Sequence, residues 1–516
     1  VKRTTIRGAV VLGAAIALLV SAAASATAAG GAAQATDAPA ASAHRAGVMV
    51  TVDQAAQARA VHAAARVAAP AANKNTLAYN GGIDGAGVMS GAKTKVYLVF
   101  YGTQWGKQTT DANGNAKFSG DAAGVAGAAQ QMFKGIGTNG ELWSADLTQW
   151  CDGAGVAKGA RACPANLPAA QFVPYQAGGV LTGIWYDNAA PSPAKANGHG
   201  LALEANKAAG HFGNKTAASN RNAYYVIMSP HGTNPDGYQG QYCAWHDWNN
   251  DAANLSGGAA PSAYGNDIAF SNQPYNVDMA DCGKNFVTAG AAGNLDGYTM
   301  TLGHEWHEMM SDTYPNTGWA NPVGGDENSD ECAWIKPGQA GGAQRVSFGP
   351  FGSYAEQASW SNDTNSCAIS HPIVNHGGDL TGTHQLTVGG GFALDDPASS
   401  TTPGEQPITW VKDGGTNQKW VFTQQPDKSY TIASAASKLC LDDGGWKVPV
   451  VGAAVVQEAC TGAANQHWQA VKLPSGAYTL TNAYSGLLLT TDFSDNDSLV
   501  SQELNTGSPL QQWTIA

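Results

Sequence analysis

Charge is scarce in this chain: 13% of residues are Asp, Glu, Lys or Arg, and 27 basic residues face 39 acidic ones, for a net charge of −12. With no basic stripe to neutralise phosphates, the composition argues against a nucleic-acid or anionic-membrane partner. No apolar run reaches the ~20 residues that a bilayer span requires, so no membrane span is expected. The eight cysteines include no Cys-x-x-Cys, which speaks against a zinc ribbon or a thioredoxin-type redox pair. A lipase-type Gly-x-Ser-x-Gly elbow is not evident, and the lone Gly135-Ile-Gly137 is too little for a nucleotide loop.

What is abundant is Gly (64 residues) and Trp (15 residues), a balance that suits a β-rich extracellular protein. Lys2, Arg3 and Arg7 precede an apolar stretch from Gly8 to Val20, and Ala24-Ser25-Ala26 and Ala26-Thr27-Ala28 both fit a small-residue cleavage site. Residues 1–28 therefore read as a signal peptide, and the protein is expected to be secreted and extracellular. Its removal takes the net charge from −12 to −15. An even number of cysteines fits an oxidising compartment. Their spacing suggests the local pairs Cys151–Cys163, Cys243–Cys282, Cys332–Cys367 and Cys440–Cys460.

Residues 29–75 are Ala-rich and contain no aromatic residue, which reads as a pro-segment or linker with helix around Gln54 to Val67. Strand candidates follow at Lys95–Tyr101 and Tyr224–Met228, with helix-compatible stretches between them. Residues 76–376 are expected to form one mixed α+β domain, and a Gly-rich passage from Gly377 to Thr383 leads into residues 384–516.

That last region repeats itself. Gln418-Lys-Trp420, Gln466-His-Trp468 and Gln511-Gln-Trp513 recur 48 and 45 residues apart, each followed by a β-prone run. Units of this length cannot bury their apolar faces singly, but three closed around a common axis share one core. Residues 384–516 resemble the ricin-type lectin family, which implies an all-β β-trefoil that binds glycans or glycoproteins. The second repeat is the fullest, with Leu439-Cys-Leu-Asp442, Cys460, Asn465, Gln466 and Trp468. The resemblance implies Asp442 as the best sugar contact, Trp446 as a stacking platform and Cys440–Cys460 as a disulfide within the repeat. The first repeat keeps Asp395 but has Lys412 where the second cysteine would stand, and the third has Leu488-Leu-Thr490 where Cys-Leu-Asp would fall. By the same token, Asp395 is a second candidate contact and the third repeat is expected to be structural.

The strongest catalytic signal is Gly297 to Asp312, with His304-Glu-Trp-His-Glu308 at its centre. On a helix His304 and Glu308 share a face, about 40° apart; His304 and His307 are about 60° apart, still able to converge on one ion. The segment resembles the helix of zincin metallopeptidases, although those enzymes carry His where this chain has Glu308. The resemblance implies Glu305 as general base and zinc as cofactor. Two ligand sets stay open, His304 with Glu308 or His304 with His307, and the four-residue spacing favours the first. Glu327, 19 residues beyond Glu308, is the candidate third ligand, as gluzincins also draw a carboxylate from downstream. His231 and His246 are alternatives. Asp326, Glu327, Asp330 and Glu331 also read as a solvated loop or a calcium site.

Together these readings describe a zinc-dependent endopeptidase, acting on protein or peptide and anchored to glycans by its lectin module. Two alternatives stand beside it. One is a glycoside hydrolase, which needs two carboxylates across a sugar cleft, and no such pair stands out. The other is a lectin or adhesin without catalysis.

Overall fold

A computed structural model describes residues 47–66, 77–164, 167–374, 378–425, 429–444, 450–473, 475–504 and 506–516. The leader, most of the Ala-rich segment and Trp446 lie outside the described residues. The first half is organised by a six-stranded sheet. Its strands are β1 (Val48–Met49), β2 (Lys95–Tyr101), β3 (Leu181–Asp187), β4 (Ala223–Met228), β5 (Ala244–Trp248) and β6 (Ala269–Gln273), in spatial order β1-β5-β6-β4-β2-β3. The four strands β3, β2, β4 and β6 run parallel, β5 runs antiparallel to them, and β1 pairs antiparallel with β5 at that edge.

The apolar character of β2 follows from this topology. Parallel neighbours are joined by crossovers that lay helices on both faces, so both faces of each inner strand are covered. Val96, Leu98 and Phe100 enter the core shared with α2 (Val125–Gly135) and α4 (Asp296–Ser311). Tyr97 and Val99 enter the opposite core, against α3 (Gly198–His211). Asn197 caps α3 by accepting the N–H of Gly200 at 2.9 Å. The expected mixed α+β domain is thus more regular than its sequence suggests: a mainly parallel sheet between two helical layers, with antiparallel pairing confined to one edge.

The described part of the Ala-rich segment does not stand apart from this domain. It forms β1, paired with β5, and α1 (Val52–Arg66).

Residues 382–515 build a second core around a fourteen-stranded sheet. The strands that matter here are β7 (Phe392–Asp395), β8 (Ile408–Val411), β9 (Cys440–Asp442), β10 (Val456–Glu458), β11 (Leu488–Thr491) and β12 (Ser498–Glu503). Three fully buried tryptophans make equivalent hydrogen bonds. Trp420 Nε1–H donates to Leu394 O at 3.0 Å, Trp468 to Leu441 O at 3.0 Å and Trp513 to Leu489 O at 2.9 Å. The Gln-x-Trp recurrence is therefore a structural threefold repeat, with each indole tied to its own lobe's strand while its ring fills the shared core.

Four disulfides join Cys151 to Cys163, Cys243 to Cys282, Cys332 to Cys367 and Cys440 to Cys460. No helix among the described residues is long and apolar enough to cross a membrane.

Candidate functional site

Every residue of α4 is buried, including His304, Glu305, His307 and Glu308. Burying so polar a helix demands partners, because an unmet charge in a low-dielectric interior is costly. The helix packs close to its neighbours at Gly303, where a Cβ would stand 2.2 Å from Glu356 Oε2 and 2.9 Å from the Trp143 ring.

One face of α4 looks toward β5, which carries His246. The Nε2 of His304 lies 2.9 Å from Glu308 Oε1 and 3.5 Å from Asp330 Oδ1. The Nδ1 of His246 lies 3.5 Å from Glu305 Oε2 and 3.6 Å from Glu308 Oε2, and its Nε2 lies 3.6 Å from Glu327 Oε2. The sequence-derived set of His304, Glu308 and Glu327 is thus divided. Ligand atoms of His246, Glu308 and Glu327 gather within 4.8 Å of one another, and so do those of His304, Glu308 and Asp330. Glu308 belongs to both groups.

His307, the alternative ligand, points elsewhere. Its Nδ1 is 2.6 Å from Ser359 Oγ and its ring centroid 4.1 Å from that of Trp143. Burial, reinforced by the charge of His304, lowers it to about 3, so it is a neutral packing residue. His307 lies about 60° around the helix from His304, on the side away from Glu308, and here that side packs into the core with Trp143. The acidic loop does not form one oxygen cage either: Glu327 and Asp330 turn toward the imidazoles, while Glu331 Oε1 accepts from Asn321 Nδ2 at 2.5 Å. His231 is 67% exposed and bonded to Asp278 at 2.7 Å, in neither ligand group.

The cluster is electrostatically incomplete. No hydrogen bond meets either oxygen of Glu305 or Glu327, nor Oε2 of Glu308. Burial drives Glu305 and Glu327 well above the usual carboxylate range. Burial and the charge of Asp330 push Glu308 up to about 8. For His304 burial acts to lower the pKa, but Glu308 and Asp330 outweigh it and hold the imidazole well above its ordinary value. Four carboxyl groups against two imidazoles, with bare oxygens facing inward, are the donor set that a divalent cation satisfies. Imidazole nitrogen beside carboxylate oxygen suits zinc better than calcium, which prefers oxygen alone.

Supporting contacts orient the donors. Asp312, just past α4, accepts the N–H groups of Asn316, Thr317 and Gly318 at 2.9, 3.0 and 2.6 Å. Burial still lifts it to about 7. Sequence reasoning gave Asp330 only to a loop and His246 only as an alternative. Nothing in local spacing shows that β5 passes beside α4.

On the trefoil, the Gln of each Gln-x-Trp holds the position that carries Asp in the first two repeats. Gln418 Nε2 donates to Asp395 Oδ2 at 2.9 Å, and Asn417 Nδ2 to its Oδ1 at 2.9 Å. Gln466 and Asn465 donate to Asp442 Oδ2 at 3.0 and 2.8 Å, and Gly444 N–H occupies Oδ1 at 2.9 Å. In the third lobe Gln511 reaches Thr490 Oγ1 at 3.2 Å. Strand register adds a residue that sequence reading missed. Asp395 pairs with Ile408 and Ala393 with Trp410, so the half-buried Trp410 shares the face of Asp395. The matching positions in the other lobes are Glu458, opposite Cys440, and Glu503, opposite Leu488.

A pseudo-threefold set of lobes around buried tryptophans defines a β-trefoil. The family whose model matches it, over residues 383–514, is the ricin-type beta-trefoil lectin domain. Among solved structures, the region is similar to a designed threefold-symmetric protein, ThreeFoil (30% identity, 26% of this chain and 97% of that one, TM-score 0.25). It is also similar to the Rhizoctonia solani agglutinin (19% identity, 27% and 96%, TM-score 0.25). A third is the Macrolepiota procera ricin B-like lectin, solved with lactose (20% identity, 27% and 97%, TM-score 0.24). No curated protein matches the chain.

Proposed function

We propose that the protein is a secreted zinc-dependent endopeptidase held on glycans by its C-terminal lectin domain. The observation that carries the first part is the cluster of buried His246, His304, Glu305, Glu308 and Glu327 beside the partly buried Asp330, in which the bare oxygens of Glu305, Glu308 and Glu327 suit a cation. Four disulfides and the basic, apolar leader sequence support export.

When bound, zinc supplies Lewis-acid polarisation of a carbonyl and lowers the pKa of water toward neutrality. The chain's own residues do the rest. Glu308 spans both ligand groups, with His246 and Glu327 on one side and His304 and Asp330 on the other. Glu305 Oε2 sits beside His246 Nδ1 without a hydrogen bond of its own, free to accept a proton as a general base. Closure of the cluster from solvent strengthens each of these interactions.

On the lectin domain the first lobe is the best-equipped sugar site, because Asp395 as acceptor, Asn417 as its support and Trp410 as an apolar platform lie together. The second lobe, fullest in sequence, has a more saturated carboxylate in Asp442 and a glutamate at the Trp410 position.

The test is direct. Protein lacking residues 1–28 is assayed for bound zinc by elemental analysis and for casein cleavage with and without chelator. Stoichiometric zinc with chelator-sensitive cleavage supports the reading. Chelator-resistant release of reducing sugar would replace it with a glycosidase, and glycan binding with neither activity would leave a lectin alone.

A further inference from the structure

His246, His304, Glu305, Glu308 and Glu327 are closed to solvent and Asp330 is partly exposed, and part of what covers His246 is the segment Gly47–Met49. Gly47 O accepts the backbone N–H of His246 at 2.9 Å, and Met49 O accepts that of Cys243 at 2.8 Å. These bonds add β1 antiparallel to the outer edge of β5, with Val48 opposite Trp245 and Met49 opposite Ala244. Gly47 lies against the imidazole itself: a Cβ there would stand 3.0 Å from Nδ1 and Cε1 of His246 and 2.9 Å from its carbonyl oxygen, at a φ of +69°. Met49 packs in one buried cluster with Met300, on the helix that carries Glu305. The chain at residues 47–49 therefore runs past a candidate ligand and packs on the helix that carries the candidate base.

The rest of the segment is held by a handful of contacts. Trp334 Nε1–H donates to Val50 O at 2.7 Å, Asp53 N–H to Asp281 Oδ1 at 3.2 Å, and the Arg59 guanidinium to the carbonyls of Ala333 and Trp334. Among the described side chains of α1, Ala56, Gln57, Ala58 and Arg59 are exposed, while Ala55 and Val52 pack with Met49 in one cluster with Cys243, Met300 and Trp334. Without β1, β5 would be an edge strand whose unpaired N–H and C=O groups accept an extended chain by strand addition.

We propose that the outer edge of β5 is a binding site for an extended polypeptide. Its resident occupant is the segment Gly47–Met49, which covers the centre until residues 47–66 are released. The hydrolase reading matters here only for what is covered; the strand-addition site stands on the β1–β5 pairing.

The experiment uses protein lacking residues 1–28, loaded with zinc, with the recognition sequence of a site-specific protease inserted between Lys74 and Asn75. Two quantities are read before and after cutting and removal of the fragment: zinc release to a chromogenic chelator, and fluorescence anisotropy of a labelled synthetic peptide spanning residues 45–60. The expected result is no peptide binding and slow zinc release before cutting. After it, the peptide binds, zinc release is at least tenfold faster, and added peptide slows release again. A freed chain that binds no peptide and releases zinc at the old rate overturns the proposal. Should the cut chain lose its fold by circular dichroism, Gly47→Val in the uncut protein decides instead, since a side chain there meets the His246 ring and a left-handed backbone. Peptide binding in that variant sustains the proposal, and none refutes it. If no form takes up zinc, the hydrolase reading falls while the peptide arm still decides the strand site.

Discussion

The Nε2–H of His246 donates to the main-chain carbonyl of Asp312 at 3.0 Å. Because a carbonyl can only accept, this bond places a proton on Nε2 and orients the ring so that Nδ1 faces Glu305 and Glu308. His246→Ala is therefore expected to weaken zinc binding by at least tenfold, read by equilibrium competition with a chelator of known affinity. Unchanged affinity would remove His246 from the ligand set.

Glu305→Gln should separate binding from chemistry. The side chain keeps its shape, so zinc content is expected to stay stoichiometric while casein cleavage falls by about 10²-fold or more. Loss of zinc together with activity would instead make Glu305 a ligand.

His307→Ala should leave zinc content untouched and lower stability by about 2–4 kcal/mol, the range for emptying a well-packed site. Its ring is enclosed by Trp143 and bonded to Ser359. Denaturant unfolding with parallel metal analysis checks both halves of this expectation.

For the lectin domain, Trp410→Ala and Asp395→Asn are each expected to reduce retention on immobilised glycans by roughly tenfold, on the scale of one lost stacking or hydrogen-bonding contact. Asp442→Asn should have the smaller effect, since the Asp442 carboxylate already accepts from Asn465, Gln466 and Gly444. A glycan array across the three variants ranks the lobes.

Glu204 offers a pH dependence away from the centre. Buried on α3, mainly by burial and then by Asp187, its carboxyl is raised from 4.5 to about 8. The unfolded chain ionises first, so between about pH 4.5 and 8 the unfolded state binds fewer protons and stability falls as pH rises. Below that window both states are protonated and the effect vanishes. Glu204→Gln should raise Tm by roughly 2–5 °C at pH 8 and by little at pH 4.5. Equal shifts at both values would contradict this account.

The parts of this molecule that read from sequence are those encoded within a few residues. The spacing of His304, Glu305 and Glu308 places them on one helix without any knowledge of the fold, and the recurrence of Gln418, Gln466 and Gln511 marks three lobes. What could not be read depends on strand order. His246 meets the helix only because β5 is the antiparallel member of the sheet, and Asp330 meets His304 only because the loop after α4 folds back. Trp410 escaped notice because its counterparts are Glu458 and Glu503, so no repeat pattern flags it. The Ala-rich segment was legible as a separate stretch but not as a strand, since two residues of main-chain pairing leave no trace in composition.

The three indole hydrogen bonds of Trp420, Trp468 and Trp513 run to backbone carbonyls, not to the polar side chains that follow them in the strand. Each lobe's frame is thereby uncoupled from what it displays: Thr490 can stand where its sisters have an acid, and the scaffold closes all the same. Valency toward glycans can then be lost or regained one lobe at a time, by exchange of a single side chain, without moving the tryptophans that fill the shared core.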